Sequence, residues 1–201
     1  MSRASLSSHS QRVTRPLTDG DQSTRNFYER FAAQYARETQ TSAVPLIWNA
    51  LEARLPRGAR ILDLGCGAGR DVRHFANEGF EIVGLERSHR LARIANEHSG
   101  QSIIIGDFRQ LPFDSQSFDG VCAVASLLHL PREALAHVLQ GIRRTLGPNG
   151  VFVASMKEGD GEQIDARGRF TTLYAKGTAV GHAHARLRRV VRRTDGRAPA
   201  R

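Results

Sequence analysis

The residues best placed to do chemistry are three acids, each near the end of an apolar run. Asp63 sits within "ILDLGCGAGRD" (61–71), where the run opens into Gly65, Gly67 and Gly69, with Cys66 between the first two. Glycines let a backbone turn sharply and approach a ligand with no Cβ in the way. The start of the helix that follows offers unpaired N–H groups to a carboxylate or phosphate. Those glycines alone suit any dinucleotide-binding domain. The dinucleotide fingerprint, however, needs a third glycine at position 70, where Arg70 stands instead. Glu86 comes 21 residues after Gly65 and ends the next apolar run, followed by Arg87. From there a carboxylate can accept two ribose hydroxyls. Asp107, in "IIIGDFRQLPF" (103–113), is placed to accept from an adenine amino group, and Phe108 beside it offers a stacking face.

Packing supplies a rival account for some of these. Glu86 also reads as an exposed strand-end acid, and Asp107 as a turn residue ahead of Leu111-Pro112. Tyr28 and Tyr35 fit the apolar face of a helix as readily as a ligand lid. His129 is the sequence's one general-base candidate, and a loop residue before Pro131 is its plainer reading. Asp63 ahead of a glycine loop is hard to explain by packing.

These residues need a scaffold that brings strand ends together. Phe27, Phe31 and Tyr35 recur at helical intervals and predict a helix from Asn26 to about Arg37. A second helix is expected over Val44 to Leu55, with Pro45 in its first turn, and Pro56-Arg57-Gly58 breaks it. Strands and helices then alternate. Strands are expected at Arg60 to Leu64, Glu81 to Leu85, Ile103 to Ile105, Phe118 to Val124 and Val151 to Met156. The helices between are expected at Asp71 to Glu78, after Ser88 as its cap, and at Pro131 to Leu146. Ile103-Ile104-Ile105 is apolar throughout, as a strand buried on both faces requires. This alternation predicts an α/β fold with a doubly wound, mostly parallel, Rossmann-like sheet. In such sheets ligands bind outside the carboxyl ends of the strands, where the three acids converge.

With these motifs in place, the chain resembles the class I S-adenosylmethionine-dependent methyltransferases, in the broad small-molecule group. "ILDLGCGAGRD" is similar to the family's first motif, "IVGLERS" (82–88) to the second with Glu86 replacing the commoner Asp, and "GDFRQLPF" (106–113) to the third. "SFDGVCAVASLLHLP" (117–131), "IRRTLGPNGVFVASM" (142–156) and the lid-like "NFYERFAAQYA" (26–36) extend the resemblance over about residues 26–174. It implies S-adenosyl-L-methionine as cofactor. Asp63, Gly65 and Gly67 would then hold the methionine end, Glu86 the ribose, and Asp107 and Phe108 the adenine. Cys66, Arg87 and Ala125 would also contact the cofactor, with Tyr28 or Tyr35 closing over the site.

A methyl group on a sulfonium is already activated, so the protein's main tasks are alignment and exclusion of water. A base is needed only for an acceptor that arrives protonated. Strand four is not followed by an Asn/Asp-Pro-Pro-aromatic run, and no proline precedes Cys122. By elimination a small-molecule acceptor is expected.

The bulk composition agrees with a single domain. The two cysteines, Cys66 and Cys122, have neither the number nor the spacing of a disulfide framework or zinc site, which suits a reducing, cytoplasmic setting. No apolar run reaches the ~20 residues that span a bilayer, and no secretory signal is visible. The net charge of +9 is local: residues 167–201 carry 10 basic residues against the single acid Asp195, while the remainder balances. The domain plan is therefore a disordered lead-in over 1–23, a methyltransferase domain over 24–174, and a basic, disordered tail over 175–201. So polar a tail is expected to leave the C-terminal sheet edge incomplete. A truncated fold that binds cofactor without turnover, a basic arm that grips RNA, and a short interface helix over Ala185 to Arg193 are the competing readings of that tail.

Overall fold

The computed structural model describes residues 19–175, 178–182 and 188–190, and holds a seven-stranded sheet in the order β3-β2-β1-β4-β5-β8-β9. β1 (Arg60–Leu64), β2 (Glu81–Glu86), β3 (Ile103–Ile105), β4 (Phe118–Val124) and β5 (Leu146–Ser155) run parallel. The strand order reverses between β1 and β4, which opens a crevice at their carboxyl ends.

Local chemistry explains the connecting helices. α4 (Arg70–Asn77) starts directly after Gly69, whose φ of +83° is a left-handed turn. A Cβ at Gly69 would come within 2.8 Å of the Ala95 backbone, so this glycine also allows α4 to pack on α5 (His89–Ser99). Ser88 caps α5 by accepting from Leu91 N at 3.1 Å and thereby satisfies one orphan N–H of the first turn. α6 (Arg132–Thr145) begins behind Pro131. α3 (Pro45–Glu52) and α4 cover one sheet face with Ile47, Leu51, Val72 and Phe75. α6 covers the other, where Val138 and Ile142 join Phe118, Val121 and Phe152. Phe75, Phe118, Leu51 and Ile61 are fully buried. Burial of each such side chain contributes roughly 1.5–3 kcal/mol.

Several expectations need correction. The sheet edge is not left incomplete: β8 (Thr178–His182) pairs antiparallel with β5, and β9 (Arg188–Val190) with β8. An edge ladder is made by backbone N–H and C=O groups, so it does not require the apolar run that the sequence lacks there. Residues 178–182 and 188–190 therefore belong to the sheet, whereas 183–187 and the remainder of the tail from 191 lie outside the described residues. The lead-in ends earlier than expected, because α1 (Asp19–Arg30) already includes residues 19–23. Residues 1–18 lie outside the described residues. The single helix read over 26–37 is two, α1 and α2 (Ala32–Thr39), with Phe31 at φ −108° and ψ +19° between them. β3 is an edge strand with Ile104 and Ile105 at 37% and 51% exposure, not one buried on both faces.

A hairpin, β6 (Glu162–Ile164) with β7 (Phe170–Thr172), stands apart from the main sheet and packs on α1. Thr24 accepts from Phe170 N at 2.8 Å, and Ser23 donates to the Gly168 carbonyl. A Cβ at Gly20 would meet the Phe170 ring at 2.9 Å, so glycine permits the close approach.

Candidate cofactor and methyl-transfer site

A cleft opens at the carboxyl ends of the parallel strands, roofed by α1 and α2. Nine sequence-predicted residues line it: Tyr28, Tyr35, Gly65, Gly67, Glu86, Arg87, Phe108, Ala125 and His129. Asp63, Cys66 and Asp107 do not line it. They stand just behind its wall.

Asp63 is 1% exposed beneath the glycine loop. Its Oδ2 is buried without a hydrogen-bond partner, as is the Oγ of Ser126. Burial pushes the Asp63 carboxyl well above its ordinary range, and the neighbouring Asp71 adds to the rise. A buried carboxylate oxygen with no donor is costly, and a cationic group of a ligand would relieve it. Cys66 is buried in the loop itself, and burial pushes its thiol up.

The loop geometry depends on its glycines. Gly65 has φ +72°, and a Cβ there would lie 2.6 Å from Ser126 Cβ. At Gly67, φ +57°, a Cβ would lie 3.2 Å from Tyr35 Cε1, so the Tyr35 ring lies directly on the loop. Across the cleft, Ala125 adopts φ +50°, and its N–H donates to Ser155 Oγ at 2.8 Å. Left-handed backbone at a non-glycine residue is a conformation that the surroundings must enforce.

Glu86 fastens the wall together. Its Oε2 accepts from Gly67 N at 2.9 Å, and its Oε1 from Arg87 N and Ser88 N at 2.8 Å each. Burial nonetheless raises its pKa against those three hydrogen bonds. With three of about four acceptor positions used, the free lone pair of Oε2 remains for a hydroxyl.

At the rim beyond Glu86, four charges interlock. Arg109 Nε donates to both oxygens of Asp107 at 2.9 and 3.0 Å, and Arg109 Nη1 pairs with Asp21 Oδ2 at 2.9 Å. Arg87 also pairs with Asp21, and its Nε lies 3.6 Å from Asp107 Oδ2. Burial opposes charge on Asp107, yet the Arg109 guanidinium holds its carboxyl below the usual range. Asp21, Arg109 and Ser126 are cleft residues that the sequence reading missed. Arg109 stands two places after Asp107 in a quoted motif, a legible signal, whereas Asp21 falls in the stretch read as lead-in.

A second network lies at the His129 side. The Nδ1 of His129 is 2.6 Å from the Phe170 carbonyl, which can only accept, so Nδ1 carries the ring proton. Nε2 is therefore the acceptor, and the Tyr28 hydroxyl donates to it at 2.8 Å. Tyr28 Oη in turn accepts from Arg169 Nη1 at 3.1 Å. Asp165 holds Arg169 through Nε at 2.9 Å and Nη2 at 2.7 Å. Burial, reinforced by the Arg169 charge, lowers the His129 pKa to about 4, whereas burial raises Tyr28.

Residues 62–154 match the profile of the methyltransferase domain family. With that match, the glycine loop and the strand order agree on one family. These matched residues carry a class I S-adenosylmethionine-dependent methyltransferase domain. Its cofactor is accordingly S-adenosyl-L-methionine. The 24-methylenesterol C-methyltransferase 2 of Arabidopsis thaliana is 34% identical over 105 residues, 48% of this chain and 28% of that protein. The sterol 24-C-methyltransferase of Schizosaccharomyces pombe is 36% identical over 103 residues, 47% of this chain and 27% of that protein. The chain thus matches less than a third of the length of these relatives. Among solved structures, the PH0226 protein from Pyrococcus horikoshii OT3 is 32% identical with a TM-score of 0.53, covering 63% of this chain and 57% of that one. Within the described residues of the methyltransferase domain, no helix is long and apolar enough to cross a membrane, and no His/Cys/Asp/Glu cluster could hold a metal ion.

Proposed function

We propose that the methyltransferase domain binds S-adenosyl-L-methionine along this cleft and transfers its methyl group to a small-molecule acceptor beside His129. The unpartnered carboxylate oxygen of Asp63, under a glycine loop that a Cβ would distort, carries the reading. The residues fit the cofactor as follows. Asp63, Gly65 and Gly67, with the backbone of Cys66, hold the methionine end. Glu86 takes a ribose hydroxyl on its free Oε2 lone pair, and Arg87 closes that side. Phe108 covers the adenine face, while Asp107 acts at the rim through Arg109. Tyr35 and Tyr28 close the roof, and Ala125 faces the reacting end.

The cofactor, when bound, supplies an activated methyl group on a sulfonium. The chain's own residues then hold donor and acceptor in line and keep water out, which is catalysis by proximity and orientation. His129 serves this arrangement by fixing the Tyr28 hydroxyl, since both of its ring nitrogens are already engaged. The sterol methyltransferase relatives favour a small molecule over a macromolecule. Calorimetric titration with S-adenosylhomocysteine tests the cofactor reading: saturable one-to-one binding is expected, and its loss in Glu86→Ala. Absence of saturable binding by the unaltered chain would defeat it.

A further inference from the structure

Arg25 lies half-buried on α1 and lines the cleft. Its helical neighbours at i−4 and i+4 are both acids, Asp21 and Glu29, at the spacing where a helix forms ion pairs. Neither pairs with it. Asp21 turns to Arg87 and Arg109, and Glu29 reaches α5 instead, where it accepts from His89 N at 2.7 Å. Among the described residues the Arg25 guanidinium has no ion pair, whereas the other two guanidiniums of the cleft share the Asp21 carboxylate. A partly desolvated guanidinium offers five N–H donors and accepts nothing. Its fork matches a carboxylate with two parallel hydrogen bonds.

The position of Arg25 along the cleft indicates which molecule brings that carboxylate. Asp21, one turn earlier, closes the adenine-side rim, and Tyr28, three residues later, meets His129. The glycine loop is covered by Tyr35 of α2, whose Cε1 lies 3.2 Å from where a Cβ at Gly67 would stand. Arg25 precedes Tyr28 along the roof and Tyr35 follows it, so Arg25 is set apart from the loop that takes the methionine end. On the cofactor reading above, the cofactor's own carboxylate lies at that loop, by the first N–H groups of α4.

We propose that the methyl acceptor is a small carboxylic acid, anchored as its carboxylate by Arg25 against the apolar wall of Val124 and Leu130. This rests on the methyl-transfer reading and narrows its acceptor class, with Arg25 as the residue that sets specificity. An uncharged acceptor would leave the guanidinium partly desolvated without an anion, and a cationic one would be repelled. One guanidinium supplies one positive charge, which a carboxylate balances. A phosphate monoester, at about −1.5 to −2 near neutral pH, would exceed it.

The test is calorimetric and uses the full chain saturated with S-adenosylhomocysteine. Benzoate, hexanoate, their carboxamides and phenyl phosphate are titrated separately at about pH 7.5, where carboxylic acids are ionised. At least one acid is expected to bind roughly tenfold or more tightly than its own amide, as a charge-assisted hydrogen bond implies. Arg25→Gln should erase that contrast at unchanged S-adenosylhomocysteine affinity, and Arg25→Lys should keep part of it. The acid–amide contrast in the unaltered chain is decisive even if a variant fails to fold. Equal binding of acid and amide, no binding of either acid, or tighter binding of phenyl phosphate than of benzoate would overturn the inference. Weakened S-adenosylhomocysteine binding in a folded Arg25→Gln protein would also overturn it, by assigning the guanidinium to the cofactor's own carboxylate. If the unaltered chain does not bind S-adenosylhomocysteine, the cofactor reading fails; if it binds without an acid–amide contrast, only this inference does.

Discussion

Asp21 on α1 and Arg109, which stands 88 positions later in the loop after β3, form an ion pair of 2.9 Å that fastens the roof of the cleft to its adenine-side rim. The Asp21 side chain is 9% exposed and shares its carboxylate between Arg109 and Arg87. Asp21→Asn should therefore leave two partly buried guanidiniums short of an anion. Removing one partner of such a pair costs about 1–3 kcal/mol. We expect a lower melting temperature and, in stopped-flow measurements, a roughly tenfold faster release of S-adenosylhomocysteine. Unchanged release in a folded Asp21→Asn protein would show that the roof is held by other contacts.

Gly65 is constrained twice, by a φ of +72° and by the 2.6 Å separation a Cβ would have from Ser126. The two constraints are separable. Gly65→Ala should cost several kcal/mol, of which about 1–3 kcal/mol is backbone strain. Adding Ser126→Gly relieves the collision alone. Urea titration of the single and double variants should accordingly show partial recovery, whereas full recovery would mean that the left-handed turn carries no strain.

His129 makes stability depend on pH. Its pKa falls from 6.5 to about 4 on folding, because burial and Arg169 disfavour the imidazolium; Asp165 and the Phe170 carbonyl oppose this only in part. The unfolded chain thus binds the proton first, so the contribution is intact above pH 6.5 and is lost as pH falls towards 4. At 1.36 kcal/mol per unit the whole loss is on the order of 3 kcal/mol. Unfolding free energies at pH 7.5 and 4.5 should differ less in His129→Gln than in the unaltered chain. Equal slopes in both would place the acid sensitivity elsewhere.

Two isoleucines in the same sheet should respond oppositely. Ile61 is fully buried at the centre, whereas Ile105 is 51% exposed on the β3 edge. Ile61→Ala is expected to cost about 2–5 kcal/mol. Ile105→Lys should stay within about 0.5 kcal/mol and improve solubility, since a lysine on an edge strand discourages edge-to-edge pairing. Differential scanning calorimetry of both variants checks the contrast.

The parallel core was legible because its signals are local. An apolar run before Gly65, Ser88 capping α5 and Pro131 ahead of α6 each report on a few neighbouring residues. The nine cleft residues found in advance come from such motifs. What escaped was relational. Asp21 has no meaning until α1 brings it to Arg87 and Arg109, and His129 reads as a free base until Tyr28 and Phe170 occupy its two nitrogens. The sheet edge was misjudged for a different reason. β8 and β9 are joined to the sheet through backbone groups, which leave little trace in composition.

The packing of α1 on the β6–β7 hairpin has a consequence for biogenesis. The catalytic core between Arg60 and Ser155 can collapse as it leaves the ribosome, strand by neighbouring strand. The wall that encloses Tyr28 cannot, because Thr24 must wait for Phe170, 146 positions later. A nascent chain therefore passes through a stage with a formed sheet and an open, solvent-filled cleft, and long-range closure of this kind comes late because its loop-closure entropy is lost before contacts repay it. The roof over Tyr28 therefore cannot form before Phe170 has been synthesised.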